Sequence, residues 1–348
     1  MAKKTRNKRM DRVVESAERV FREKVKSISA PGGENRSSYR LHLPGRSIVA
    51  TLRPTFQRTH LEAFTLRKLA PFCDDIPECL AVDDVIMFQS DVGSRRLNRE
   101  IIARDPEDRL SLAAEAVASI FRIQIAGQKA GLRDILPHLG QNDEWIENFV
   151  HSADFLTELS SGRAADIDKD LLCARVATPA TQFLKWDCRS GNAALGDDDR
   201  MRWFDFEYSG IRHGAEDLAW LLGDEVWPID PDDMLAIITD AYDPALGHSL
   251  DDYLDYLALY TTFHCIQRLQ LVTRESEKRG WQSMRRIRKY DDAGVHPHFA
   301  AHLCRVGAFF AHRNTLTAPI ARDFEEAEQV FVTLLRDGMK QKMMESAC

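Results

Sequence analysis

From residue 106 to residue 338 the apolar residues of this chain recur every three or four positions, with one interruption. Between residues 183 and 206 the pattern changes to that of short strands, at 183–186, 193–195 and 202–206. Turns join them at Arg189-Ser-Gly-Asn192 and Gly196-Asp-Asp-Asp199. Strands of this length need partners to be stable. A hairpin embedded in a helical body is therefore expected, with both turns held by the helices around it. The surrounding helices are predicted over 106–129, 143–160, 165–175, 214–223, 231–242, 250–275, 297–312 and 322–338.

The first ninety residues read differently. A helix is predicted over 10–26, where Val13, Val14, Ala17, Val20, Phe21 and Val25 share one face, after a floppy basic leader over 1–10. A turn-rich stretch, Ala30-Pro-Gly-Gly-Glu-Asn-Arg-Ser-Ser38, precedes strands at 38–43 and 47–53, joined by Pro44-Gly45. A helix over 59–70 and strands at 79–82 and 85–89 complete the region, and Gly93 closes it. The expected organisation is a basic leader and helix over 1–27, a small antiparallel lobe over 28–92, and a larger helical lobe over 93–348. The fold class is α+β and bilobal.

Charge excludes some functions and marks one region. The 348 residues carry 47 Lys and Arg against 54 Asp and Glu, a formal net charge of −7, which argues against a general nucleic-acid coat. Residues 187–255 hold four basic and eighteen acidic side chains, so one segment is twice as negative as the whole. No stretch of about 18 uncharged apolar residues occurs, and no membrane span is expected. The seven cysteines are scattered, without a CxxC pair, which suits reduced thiols in a cytoplasmic protein.

The acidic segment contains the residues that point to chemistry. Asp187 and Asn192 stand five apart on the first turn, and Asp205 lies thirteen further on, at the end of the next strand. Phosphoryl transfer needs one carboxylate at the attacking hydroxyl, and an amide and a second carboxylate to hold Mg²⁺ on the phosphates. Mg²⁺ prefers hard oxygen ligands, which Asn192 and Asp205 supply.

The run Lys185-Trp-Asp-Cys-Arg-Ser-Gly-Asn192, followed by Asp205-Phe-Glu207 and Gly214-Ala-Glu-Asp-Leu-Ala219, resembles the aminoglycoside phosphotransferase and choline kinase-like family, which shares the protein-kinase fold. The family pattern H-x-D-x-x-x-x-N is matched at Asp187, Gly191 and Asn192. The resemblance implies that Asp187 is the catalytic base, that Asn192 and Asp205 are metal ligands, and that Asp217 braces the catalytic loop. The stretch Gly32-Gly33-Glu34-Asn35-Arg36-Ser37-Ser38-Tyr39 resembles the family's phosphate-covering loop, which makes Gly32, Gly33, Asn35 and Ser37 nucleotide-binding candidates. The same resemblance implies Arg53 as the cation on the α/β-phosphates, Glu62 as its partner, and Gln89 and Asp91 in the linker at the base edge. The implied co-substrate is ATP or GTP, with Mg²⁺.

Three positions depart from the family pattern. Lys185 stands for the usual His, Arg53 for the usual Lys, and Ser190 for the usual Pro. A catalytically silent nucleotide-binding regulator is one alternative reading. A kinase acting on a peptide hydroxyl is another, although Gly210 follows Asp205 too soon for a long activation loop. Nucleotidyl transfer is a third.

For the acceptor, a hydroxyl-bearing small molecule, the candidates are Glu207, Asp224, Glu225, His264 and Arg268. The acids Asp224, Glu225, Asp251, Asp252 and Asp255 suit a cationic alcohol or an aminoglycoside-type antibiotic. Two further features stand apart. Cys188 reads as a small apolar filler, and the run 274–289, with seven positive and two negative charges, reads as a solvated face or an anion-gripping segment. The cluster His296, His298, His302 and His312 lacks the Glu that an H-E-x-x-H zinc site requires.

Overall fold

Residues of the first lobe alternate between two faces because strand side chains point to opposite sides at successive positions. In the computed structural model the backbone is described for residues 2–31, 33, 37–177 and 181–346, and side chains for residues 8–338 within those limits. Helix α1 (Ala2–Phe21) is followed by β1 (Ser27–Ser29), β2 (Ser38–Leu43), β3 (Arg46–Leu52), α2 (Phe56–Leu69), β4 (Cys79–Asp83) and β5 (Ile86–Ser90). The five strands form one antiparallel sheet in the order β1-β2-β3-β5-β4. Val13 and Ala17 of α1 pack on Leu41, Ile48, Ala50, Ile86 and Phe88, all buried. Burial of this kind stabilises by roughly 1.5–3 kcal/mol per large side chain. The opposite face of β3 carries Val49 and Thr51, and Arg53 follows them on the same side, toward the second lobe.

The second lobe opens with β6 (Arg95–Arg96), α3 (Leu97–Ala103) and α4 (Pro106–Lys129). Helices α5 (Asp143–His151) and α6 (Lys169–Val176) lead to β7 (Gln182–Leu184), β8 (Ala193–Leu195), β9 (Met201–Trp203) and β10 (Gly210–Arg212). Then come α7 (Ala215–Leu222), α8 (Pro231–Ala241), α9 (Leu250–Arg279), α10 (Met284–Tyr290), α11 (Pro297–Ala311) and α12 (Ala321–Ser346). Helix α4 is long and apolar enough to cross a membrane, but most of that stretch is buried in the protein. Its Ala113, Ala116, Val117, Ile120 and Phe121 belong to the main core, as do Leu218 of α7 and Leu257 of α9.

The bilobal α+β architecture expected from the sequence is the one observed. Three local differences stand out. The first helix begins at Ala2, where a floppy leader was expected. Strand β7 does not pair with β8: it pairs with β10, while β8 and β9 form a hairpin to which β6 adds a third strand. Two- and three-residue strands carry too little pattern to reveal such partners. The basic run 274–289 resolves into the end of α9, a turn and α10, so it is neither one helix face nor one loop.

Candidate active site

The loop between β7 and β8 carries the acid, and its shape is set by buried bonds. Trp186 and Asp187 adopt left-handed backbone conformations, with φ of 55° and 54°. Such conformations are disfavoured for side-chain-bearing residues and persist where surrounding contacts impose them. Asp217, at the start of α7 and 1% exposed, supplies those contacts. Its carboxylate accepts from the backbone N–H of Lys185 at 3.0 Å, from that of Trp186 at 2.8 Å and from Gln124 Nε2 at 3.1 Å. Burial pushes the Asp217 carboxyl up; Gln124 and the two backbone N–H groups oppose that rise.

Lys185 occupies the position where the resembled family has His. Its ammonium donates to the carbonyls of Asp187 at 3.0 Å and Trp186 at 3.3 Å and lies 5.5 Å from the Phe206 ring centre. The substitution therefore keeps a brace under the loop, through charge-assisted bonds to carbonyls.

Asp187 itself is partly exposed. Asn192 Nδ2 donates to its Oδ2 at 3.0 Å and to its carbonyl at 3.0 Å. Arg189 Nε donates to its Oδ1 at 2.7 Å. Arg189 was not singled out from sequence. The available clue was a cation two residues beyond the acid, on a turn tight enough to fold back. Ser190 was noted only as a departure from Pro. Its N–H and hydroxyl both donate to Asp224 Oδ2, at 2.8 and 2.5 Å.

The cation of the first lobe meets the second lobe at Asp205. Thr55 caps α2 by accepting from the Arg58 N–H, and this start places Glu62 two turns in, completely buried. Arg53 Nε and Nη2 donate to the two Glu62 oxygens at 2.8 and 2.9 Å, the paired geometry that suits guanidinium and carboxylate. Arg53 also contacts Asp205 Oδ1 at 2.5 Å and Glu207 Oε1 at 3.1 Å. Glu62 in turn accepts from the Phe206 N–H at 3.0 Å, tying α2 to the Asp205-Phe-Glu207 segment. Asp205 lies beyond the end of β9, with φ of 70°. Burial works to raise its carboxyl, but Arg53, with Lys185 and Arg189, outweighs burial and holds it below the ordinary range. Burial raises Glu62 despite Arg53, and raises Glu207 likewise.

A cleft of about 320 Å³ lies between the lobes. Arg53, Gln89, Arg189, Asn192 and Asp205 line it together, with the linker residues 90–94 along one side. Gln89 is 4% exposed, and its Oε1 has no partner among the described residues. The Asp91 carboxylate is engaged by Arg40 at 2.6 Å, Ser47 at 2.7 Å and the Gly93 N–H at 3.0 Å, so it fixes the linker. Of the glycine-rich stretch, Gly32 and Asn35 lie outside the described residues. Gly33 has φ of +94°, and the Ser37 carbonyl accepts from the Leu52 N–H. Segment 288–291 also reaches the cleft, which sequence reasoning did not anticipate.

The acceptor candidates are not gathered in this cleft. Asp224 serves Ser190, and burial beside Glu225 pushes its carboxyl up to about 6. Glu225 is buried against Arg268, with Nη2 at 2.7 Å, and accepts from the Gly294 N–H; Arg268 overcomes burial and holds it down at about 2. His264 is buried against Trp220, with ring centres 4.4 Å apart, and burial lowers it to about 3. Glu207 faces Arg53 and Arg58. Asp255 pairs with Arg175.

The sequence model of the phosphotransferase enzyme family (APH) matches residues 27–253. No curated protein matches in sequence. Among solved structures, a candidate aminoglycoside phosphotransferase of Ralstonia eutropha is similar, with 16% identity, a TM-score of 0.53, and coverage of 90% of this chain and 98% of that one. A spectinomycin phosphotransferase bound to ADP and spectinomycin has 10% identity and a TM-score of 0.52, covering 91% and 98%. An aminoglycoside 2'-phosphotransferase bound to GDP has 14% identity and a TM-score of 0.50, covering 75% and 91%. The chain belongs to the phosphotransferase enzyme family and is, on that ground, a small-molecule phosphotransferase.

Proposed function

We propose that the chain transfers the γ-phosphate of ATP or GTP to a hydroxyl of a small molecule, with Asp187 as the base. The convergence of Arg53, Asn192 and Asp205 on one interlobe cleft, with Asp187 bonded to Asn192 and Glu62 holding Arg53, carries this reading. Asp187 would orient and deprotonate the acceptor hydroxyl. Arg53, fixed by Glu62, would steady the α/β-phosphates, and the stretch over 32–38 would cover them. Positioning and charge neutralisation then supply most of the acceleration.

The donor set also fits Mg²⁺. Asn192 and Asp205 face one cleft with an amide and a carboxylate, the hard oxygen ligands this ion takes in small number beside phosphates and water. Among the described residues no group of three or more His, Cys, Asp or Glu is arranged for a metal. When bound, Mg²⁺ neutralises charge on the β- and γ-phosphates.

Similar proteins bind spectinomycin or, by name, act on aminoglycosides, so an antibiotic hydroxyl, and with it a role in antibiotic resistance, is the first acceptor class to test. The free thiols suit a reducing compartment such as the cytoplasm. The specific observation favouring a silent regulator is the Arg189–Asp187 pair, which neutralises the base. Asp187→Asn and Asp205→Asn are each expected to abolish phosphoryl transfer with the fold retained. Unchanged turnover in either variant would overturn the assignment, and nucleotide binding without turnover in the parent protein would establish the regulator.

A further inference from the structure

Asp187 meets the cleft through its partners. Arg189 and Asn192 line the cleft beside Asp205, and both hold the Asp187 carboxylate. Arg189 Nε donates to Oδ1 at 2.7 Å, and Asn192 Nδ2 donates to Oδ2 at 3.0 Å. Arg189 Nη2 stands further off, 3.5 Å from Oδ2. A carboxylate offers about four acceptor sites, so the two short bonds leave room for an incoming hydroxyl. The pairing orients the base without filling it.

A guanidinium carries its N–H donors in a rigid planar fork. On Arg189 the Nε edge is spent on Asp187, while Nη1 makes no hydrogen bond to any of the described residues. The side chain is 18% exposed and belongs to the cleft wall, so it is not a solvated surface cation. Its backbone is fixed on both sides. The Arg189 carbonyl accepts from the Asn192 N–H at 2.8 Å, and the Ser190 N–H donates to buried Asp224 at 2.8 Å. The turn therefore delivers this guanidinium to one place. The other cations nearest the reacting groups are held elsewhere: Arg53 by Glu62, Asp205 and Glu207, Lys185 by the loop carbonyls, and Arg96 by the Gly191 carbonyl.

Resting on the phosphotransferase reading above, we propose that Arg189 is a catalytic residue: one edge of its guanidinium holds Asp187 while the other binds the γ-phosphate, so that the base and the phosphorus it serves are kept in one register. The acceptor oxygen bonds to the γ-phosphorus, and the hydroxyl proton passes to Asp187. The bond from that phosphorus to the β–γ bridging oxygen breaks, and its electron pair leaves with the nucleoside diphosphate. Charge on the transferring oxygens then faces a donor already in position, the arrangement that accelerates phosphoryl transfer.

Triphosphate and diphosphate separate this role from a merely structural one. Calorimetry with Mg²⁺ measures the binding of the β,γ-imido analogue of ATP and of ADP, with the guanine pair in parallel. Turnover is read as nucleotide hydrolysis, with water as the acceptor. In Arg189→Gln the affinity for the triphosphate analogue should fall about tenfold or more, and that for the diphosphate should stay within about twofold. The unchanged diphosphate affinity also shows that the variant is folded. Hydrolysis should fall about a hundredfold or more. Arg189→Lys keeps the charge without the fork, so it should recover most of the triphosphate affinity and little of the turnover. Equal loss of triphosphate and diphosphate binding in Arg189→Gln, no loss of either, or full turnover in Arg189→Lys would overturn the proposal and leave phosphoryl transfer standing. A parent protein that binds no nucleotide and turns none over would overturn both readings.

Discussion

Removing the Asp217 carboxylate tests whether the catalytic loop is held in shape from beneath. In Asp217→Ala the buried N–H groups of Lys185 and Trp186 lose their acceptor, and Gln124 loses one of its two. A buried donor left unsatisfied costs about 1–3 kcal/mol. The two backbone groups together therefore cost roughly 2–6 kcal/mol, less what is recovered by no longer burying a carboxylate. Trp186 and Asp187 would also relax from left-handed conformations that are disfavoured by on the order of 1 kcal/mol each. Both effects offset part of that cost, so the expected net loss is about 1–4 kcal/mol, a large share of the roughly 5–15 kcal/mol of a typical domain. Asp217→Asn keeps one acceptor oxygen but turns an amide donor toward a donor, and should lose about 2 kcal/mol. Urea unfolding followed by tryptophan fluorescence measures the stability, and phosphoryl transfer by the fraction still folded measures function. Displacing Asp187 by about 1 Å is expected to lower kcat about a hundredfold, with nucleotide affinity little changed. A stability loss below about 1 kcal/mol, or an unchanged kcat in the folded variant, would refute the bracing argument.

Other outcomes follow from single contacts. A Cβ on Gly191 would fall 1.9 Å from Asp291 Oδ1, so Gly191→Ala should cost about 1–3 kcal/mol and reduce turnover. Adding Asp291→Gly should recover most of that loss, which a double-mutant cycle in denaturant measures. For Asp224, the folded carboxyl titrates near 6 against an ordinary value of 3.8, so the native state binds the extra proton between those values. The stability of the parent relative to Asp224→Asn should therefore rise as pH falls from about 7 to about 4, by a few kcal/mol. A flat difference across that range in unfolding measurements would show that Asp224 is not buried beside Glu225 as described.

Some of this molecule is written locally. The strand limits of β2 and the full span of α4 follow from hydrophobic period, because period depends only on which face is buried. Asp187, Asn192 and Asp205 are visible because one short loop and one hairpin bring them together. Arg53 and Glu62 are nine residues apart across one turn, so their bidentate pair is also close to local. The tertiary structure decided what contacts between distant segments decide. Sequence acidity could not show that Asp224 and Glu225 are consumed by Ser190 and Arg268, since a carboxylate's partners lie tens of residues away. Nor could it place Arg288 and Lys289 beside the catalytic loop, because α10 reaches the cleft only through packing on α3. The charge around the reacting groups is thus a property of the assembled cleft, where Asp224 and Glu225 are turned to internal partners while Arg288 and Lys289 join Asp205 in the lining.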